Sequence, residues 1–128
     1  EWVVAVQVGD GAMIVQQSNG ELMTLTVPDQ GEYVNETTFM TSANYLERAQ
    51  YVVDRHLDLR GVALITDGLQ MLALTLATNE AYGPFFEPLF TFAARPGAGS
   101  MELEAFLQSE RVSAQTDDDK TLLLAVRA

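Results

Sequence analysis

Apolar runs separated by glycine-rich turns set the pattern of this chain. The densest is Gly61-Val62-Ala63-Leu64-Ile65-Thr66-Asp67-Gly68-Leu69, in which an unbroken apolar run gives way to Thr-Asp-Gly. A short apolar run bounded by glycine reads as a strand covered on both faces. Leu69, Leu72, Ala73 and Leu76 then continue at helical spacing, predicting a helix over about Leu69 to Ala77. Asp67 therefore falls where strand becomes helix, held by packing on both sides. Upstream, Trp2 to Val8 is rich in β-branched residues, and Ala12 to Gln17 follows across Gly9-Asp10-Gly11 as its hairpin partner. Leu22 to Val27 alternates apolar and polar residues after Ser18-Asn19-Gly20. Short turns between sequential strands predict an antiparallel meander.

Pro28 to Glu36 reads as a loop, Thr37 to Thr41 as a short strand, and Ala43 to Gln50 is ambiguous. Tyr51 to Leu57 is predicted to pair with Gly61 to Thr66 through Asp58-Leu59-Arg60, a second hairpin ending at Asp67. Beyond Gly83-Pro84, the residues Phe85, Phe86, Leu89, Phe90 and Ala93 form a helical stripe that Pro88 either interrupts or opens. Arg95 to Gly99 links it to a helix over Met101 to Ser109, with Ser100 as N-cap and Leu103, Phe106 and Leu107 inward. Thr116-Asp117-Asp118-Asp119-Lys120 leads into Thr121 to Val126, a last buried strand. Strands first, helices late and a strand returning to the sheet favour an α+β fold, with antiparallel sheets and helices packed outside, in a single domain over residues 1–128.

Composition narrows the partners. With 18 acidic and 7 basic side chains the formal net charge is −11, which opposes nucleic acid and anionic membrane and leaves cations, basic surfaces and small molecules. The same acidity also serves plain solubility. There is no cysteine, which excludes disulfides, thiolate zinc sites and cysteine nucleophiles. No apolar run approaches the roughly 18 residues that span a bilayer, and no signal-peptide pattern opens the chain. A soluble, cytoplasmic protein is the expectation. The chain starts at Glu1 and enters an apolar strand almost at once, which reads as the later part of something longer.

Three turns each place a carboxylate at the edge of an apolar strand: Asp10 in VGDG, Asp67 in ITDG and Asp118 in TDDDKT. Oxygen-only clusters suit hard divalent cations, Mg²⁺ or Mn²⁺. Asp117, Asp118 and Asp119 also repel one another unless a cation or solvent screens them. The commoner roles stand beside this reading. Aspartate caps helices, as Asp67 would, and aspartate in turns bonds its own backbone two residues on. The lone His56, within a predicted strand, suits a packed or surface residue better than a catalytic one, and Lys120 suits an ion-pair partner of the neighbouring aspartates.

The order of these elements adds to the picture. Val6-Gln7-Val8-Gly9-Asp10-Gly11 is similar to a "VGDS" turn, and Gly31-Glu32-Tyr33-Val34-Asn35-Glu36-Thr37-Thr38-Phe39 to a "GEYxNETxF" segment. Leu64-Ile65-Thr66-Asp67-Gly68-Leu69 is similar to a "TDG" strand end, and Asp118-Asp119-Lys120-Thr121 to a "DN-x-T" turn before a last strand. In that order the chain resembles the metal-dependent serine/threonine protein phosphatases of type 2C, in particular their bacterial branch. The resemblance implies an α-β-β-α sandwich of which this is the C-terminal portion. It implies Asp67 and Asp118 as ligands of a binuclear Mg²⁺ or Mn²⁺ centre, and Asp10 at a further, weaker metal site. The implied chemistry is direct hydrolysis of phosphorylated proteins: a water shared by two metals loses its proton and attacks phosphorus in line, with no phosphoenzyme and no side-chain nucleophile.

Departures accompany the matches. Asp119 stands where the family usually has Asn. The family's early "DGxGG" aspartate that bridges the metals has no counterpart before Asp10, nor do its early arginine for phosphate and its early histidine acid. One reading is therefore a phosphatase completed by a missing N-terminal segment or a partner chain. The other is a catalytically incomplete type 2C-like regulatory or interaction module. An acidic scaffold whose three aspartates are only turn residues is the third.

Overall fold

In the computed structural model, residues 2–29 and 37–127 are described. The chain forms strands β1 (Val3–Gln7), β2 (Ala12–Gln17) and β3 (Leu22–Thr26), a one-turn helix α1 (Tyr45–Arg48), and strands β4 (Gln50–Asp54) and β5 (Leu59–Ile65). A 3-10 turn (Asp67–Leu69) runs into α2 (Gln70–Ala73), followed by a small ribbon of β6 (Leu74–Thr75) and β7 (Glu80–Ala81). Then come α3 (Gly83–Ala93), α4 (Ser100–Leu107), α5 (Glu110–Ser113) and β8 (Leu122–Val126). The result is mixed α+β with antiparallel sheets, as the order of elements predicts.

The central sheet runs β3-β2-β5-β8, and β1 and β4 pair separately as a two-stranded sheet. Only half of the expected meander forms. β2 and β3 make their hairpin, but β1 pairs with β4, Val3 opposite Asp54 and Gln7 opposite Gln50. The second expected hairpin, between the strands at Tyr51 and Gly61, is also absent. The reason is edge occupancy: a strand has two edges, β2 fills its own with β3 and β5, and β5 fills its own with β2 and β8. β1 and β4 are left to each other, and both lie against β3.

One face of the central sheet carries the core. Ala12, Ile14, Ala63 and Ile65 pack with Leu69, Ala73 and the α3 side chains Phe85, Phe86, Leu89 and Phe90. A β-carbon at Gly61 would lie 2.8 Å from the Phe90 ring, so glycine there lets α3 settle directly on β5. The opposite face is only partly covered: Val15 is fully buried, whereas Leu64 is 36% and Leu123 50% exposed. β5 and β8 are thus covered on one face, not two as their apolar runs suggest.

Several local expectations change. The helix expected to reach Ala77 ends at Ala73, because the Tyr82 amide donates to the Ala73 carbonyl at 2.8 Å, taking the acceptor that a continuing helix would use. Helix α3 runs through Pro88 to Ala93, with Pro84 in its first turn where a missing N–H costs nothing. Ser100 is the first residue of α4, after an N-cap Gly99, and its side chain makes no capping bond. Leu103, Phe106 and Leu107 are half-buried against the core. Residues 37–41 form no strand: Phe39 to Ser42 close a turn, with the Ser42 amide donating to the Phe39 carbonyl at 2.9 Å. Ala43 to Gln50 holds α1 and the start of β4. Most of the predicted loop from Pro28 and of the Gly31 to Phe39 motif lies outside the described residues. No described helix is long and apolar enough to cross a membrane.

Candidate functional site

Antiparallel pairing brings the three aspartate turns to one end of the central sheet. Ala12 at the start of β2 lies opposite Ile65 at the end of β5, and Ile65 lies opposite Leu122 at the start of β8. Asp10 precedes the first of these residues, Asp67 follows the second and Asp118 precedes the third. The neighbouring turns are then locked together. The Thr66 amide donates to the Thr121 carbonyl at 3.3 Å, and the Thr121 amide to the Thr66 Oγ1 at 3.0 Å.

Gly68 makes the contact tighter. A β-carbon at this position would lie 2.2 Å from the Asp119 carbonyl oxygen, 3.0 Å from its carbon and 3.4 Å from the Asp118 Cβ. Only a hydrogen side chain allows the Asp67 turn to press against the Asp118 turn. Each carboxylate is oriented locally: Asp67 Oδ1 accepts from the Gly68 amide at 2.9 Å, and Asp118 Oδ1 from the Asp119 amide at 2.8 Å. In each, Oδ2 is left to solvent or to a ligand, since both side chains are exposed. Asp67 is thus not fixed by packing on both sides; burial stops at Gly68 and Leu69. Nor does it cap the helix: it is the first residue of the 3-10 turn, behind Thr66, and bonds the next amide rather than one two or three residues on.

Asp10 is attached by different means. Gln70, one turn past Asp67, donates its Nε2 to the Asp10 carbonyl at 2.5 Å, tying the first turn to the second across the sheet end. The Asp10 Oδ2 accepts from the Thr37 hydroxyl at 2.9 Å. Gln7 braces the same turn from β1, its Nε2 donating to the Gly11 carbonyl at 2.6 Å and the Val27 carbonyl at 3.1 Å. Beside it, Arg48 of α1 forks onto Asp29, at 2.6 Å to Oδ1 and 3.3 Å to Oδ2, while the Thr38 hydroxyl donates to Asp29 at 2.9 Å. The Asp29 amide donates to the Gly9 carbonyl at 3.1 Å, so this pair anchors the Asp10 turn to the loop at Thr38.

The remaining candidates fall elsewhere. His56 follows β4 instead of lying within it, is exposed, and sits just before β5. That is the end of β5 away from Asp67, roughly 20 Å along a strand of this length. Lys120 forms no ion pair with the aspartates; its Nζ reaches the Asp118 carbonyl at 3.5 Å. Gln7, Gln70, Asp29 and Arg48 are not evident in the sequence as site residues, because each acts through a partner distant along the chain.

The donor set has the chemistry of a hard-cation site, two oriented carboxylates with free oxygens and a third at the adjoining turn. Among the described residues, however, no three of His, Cys, Asp or Glu come close enough to hold a metal ion by themselves. A family model described as protein phosphatase 2C matches residues 1–108. The chain belongs to the protein phosphatase 2C family. It is also 38% identical over 128 residues to serine/threonine-protein phosphatase 3 of Escherichia coli (strain K12), an alignment covering 96% of this chain and 50% of that protein. The chain thus spans about half the length of the curated relative it matches. No solved structure matches it. Within this protein phosphatase 2C chain, Asp10 and Asp67 lie inside the segment matched by the family model, and Asp118 lies beyond it.

Proposed function

We propose that the chain is the metal-holding later part of a serine/threonine protein phosphatase, with Asp67 and Asp118 as carboxylate ligands of Mg²⁺ or Mn²⁺ and Asp10 contributing a weaker neighbouring site. The observation that carries the reading is the Gly68 contact, which joins two aspartate turns 51 residues apart in the chain and leaves an oxygen of each carboxylate free. A divalent cation held there supplies activation of water toward phosphorus and screening of the phosphoryl charge. This chain's own residues orient the donors. Thr66 and Thr121 lock the two turns, the Gly68 and Asp119 amides fix the carboxylate rotamers, and Gln70 and Gln7 hold the Asp10 turn beside them. Substrates in this reading are phosphorylated proteins, and the whole polypeptide carries the activity.

Two observations support completion by further residues. The matched relative is twice as long as the alignment. The outward face of the β1–β4 pair also leaves Trp2, Val4, Val6, Tyr51 and Val53 between 61% and 67% exposed, an apolar stripe of the kind that a soluble fold covers. On this reading the isolated chain binds divalent metal weakly and turns over little aryl phosphate. Robust hydrolysis by residues 1–128 alone would show the set to be sufficient.

The test is a thermal melt with and without millimolar Mn²⁺, beside the double variant Asp67→Asn, Asp118→Asn. A cation bound to the native state raises the melting temperature, so the rise should appear only in the unsubstituted protein. An equal shift in both would place the cation elsewhere. The second reading, a non-catalytic module that keeps the fold, draws on the lack of a three-ligand group among the described residues. A "DGxGG" turn encoded upstream of Glu1 would decide against it.

A further inference from the structure

Next to the aspartate turns, a groove of about 460 Å³ opens between α4 and the entry to β8. One wall is a single helical face, Ser100, Leu103, Glu104, Leu107 and Gln108, spaced as one side of an α-helix requires. The other wall is Asp118 to Leu122. Leu103, Leu107 and Leu122 supply apolar surface, Glu104 on the helix and Asp118 and Asp119 on the turn supply carboxylates, and Lys120, whose Nζ lies 3.5 Å from the Asp118 carbonyl, offsets only one of the three charges. Glu104 is exposed and held upright by Gln108, whose Nε2 donates to it at 3.1 Å.

Apolar surface bordered by an excess of carboxylates over the one ammonium matches one side-chain chemistry closely. Lysine and arginine lay an aliphatic stem along apolar surface and keep the cationic end at a polar rim. The groove also runs into Asp118, the residue that the phosphatase reading makes a ligand. We infer that this groove seats a lysine or arginine of the phosphoprotein substrate, a few residues from the phosphorylated side chain, and so selects basic sequences around the phosphosite. The inference rests on the phosphatase reading and adds a substrate class to it. Charge complementarity with a formal net charge of −11 favours the same partner at long range, whereas the groove adds a fixed position.

The experiment uses the intact polypeptide with Mn²⁺, p-nitrophenyl phosphate, and a set of phosphothreonine peptides. In the set, one lysine is moved through each of the three positions on either side of the phosphothreonine in an otherwise neutral sequence. The expected result is a kcat/KM higher by about two- to fivefold at one or two adjacent positions, the scale of a single rim ion pair. Glu104→Gln should remove that positional advantage and leave p-nitrophenyl phosphate hydrolysis unchanged. Glu104→Lys should invert the preference toward a glutamate at the same position. A lysine effect equal at all positions and indifferent to both variants would overturn the groove in favour of bulk attraction. Absence of any lysine effect, with aryl phosphate still hydrolysed, would overturn it outright. Failure to hydrolyse peptide and aryl phosphate alike would remove the phosphatase reading itself, and the groove's role with it.

Discussion

Replacing Gly68 by alanine tests the contact on which the site is built. The backbone at Gly68 does not have a positive φ, so alanine meets no intrinsic conformational penalty there. What it meets is the Asp119 carbonyl oxygen at 2.2 Å, more than 1 Å inside ordinary van der Waals contact. The obstacle is main chain on both sides and cannot swing away as a side-chain end would. The turns must therefore separate, stretching the Thr66–Thr121 bonds that lock them. Overpacking of this kind costs about 1–3 kcal/mol, offset by about 0.4–1 kcal/mol from the less flexible unfolded chain. A net loss of about 1–2 kcal/mol lowers the melting temperature of a domain this size by roughly 3–10 °C.

The larger effect should fall on metal. Ligand distances at a divalent site tolerate shifts of only about 0.2 Å, so a separation near 1 Å should abolish the Mn²⁺-dependent rise in melting temperature. Gly83→Ala is the matched control, because its added carbon meets only the flexible end of Glu87, at 2.9 Å. That variant should melt within about 2 °C of the parent, since a surface change of this sort stays within about 0.5 kcal/mol, and it should keep the full Mn²⁺ response. The assay is a pair of melts for each variant with and without millimolar Mn²⁺. If Gly68→Ala melts with the parent and responds equally to Mn²⁺, the close approach of the two turns is wrong, and so is the site built on it.

Other perturbations address the supports. Thr66→Val removes the hydroxyl that accepts the Thr121 amide, and should cost about 0.5–1.5 kcal/mol in denaturant melts. It should also blunt the Mn²⁺ response more than its stability cost alone explains. Arg48→Met breaks the forked pair with the mostly buried Asp29, whose side chain is 12% exposed. A loss of about 1–2 kcal/mol is expected by chemical denaturation, reduced from the full value of a buried pair because Arg48 itself is partly solvated. Gly61→Ala sets a β-carbon 2.8 Å from the Phe90 ring and should destabilise the protein by about 1–3 kcal/mol. Phe90→Leu should recover part of that loss in the double variant, and simple additivity of the two changes would show that α3 does not rest on β5 there.

Much of the fold was legible because its signals are local. The alternation of Leu22 to Val27, the turn at Ser18-Asn19-Gly20 and the apolar run at Gly61 to Ile65 identify strands and the β2–β3 hairpin without reference to anything distant. The α3 stripe of Phe85, Phe86, Leu89 and Phe90 likewise shows a buried helix, and all four are buried. The motifs Gly9-Asp10-Gly11, Thr66-Asp67-Gly68 and Asp118-Asp119-Lys120-Thr121 identified the family resemblance by residue type and order alone.

Tertiary structure decided what depended on competition between distant segments. An alternating strand advertises a face but not a partner, so β1 pairing with β4 follows only once β3 and β5 have taken both edges of β2. Helix α2 stops at Ala73 because Tyr82 claims its carbonyl, a bond that no propensity foretells. Gln70, Gln7 and the Asp29–Arg48 pair enter the site through contacts 60, 20 and 19 residues apart, and nothing in their local sequence marks them. The contact between the Asp67 and Asp118 turns belongs to the same class. The sequence supplied two aspartate turns and a glycine; the antiparallel register of β5 with β8 put that glycine against the Asp119 carbonyl and so brought the two turns into contact.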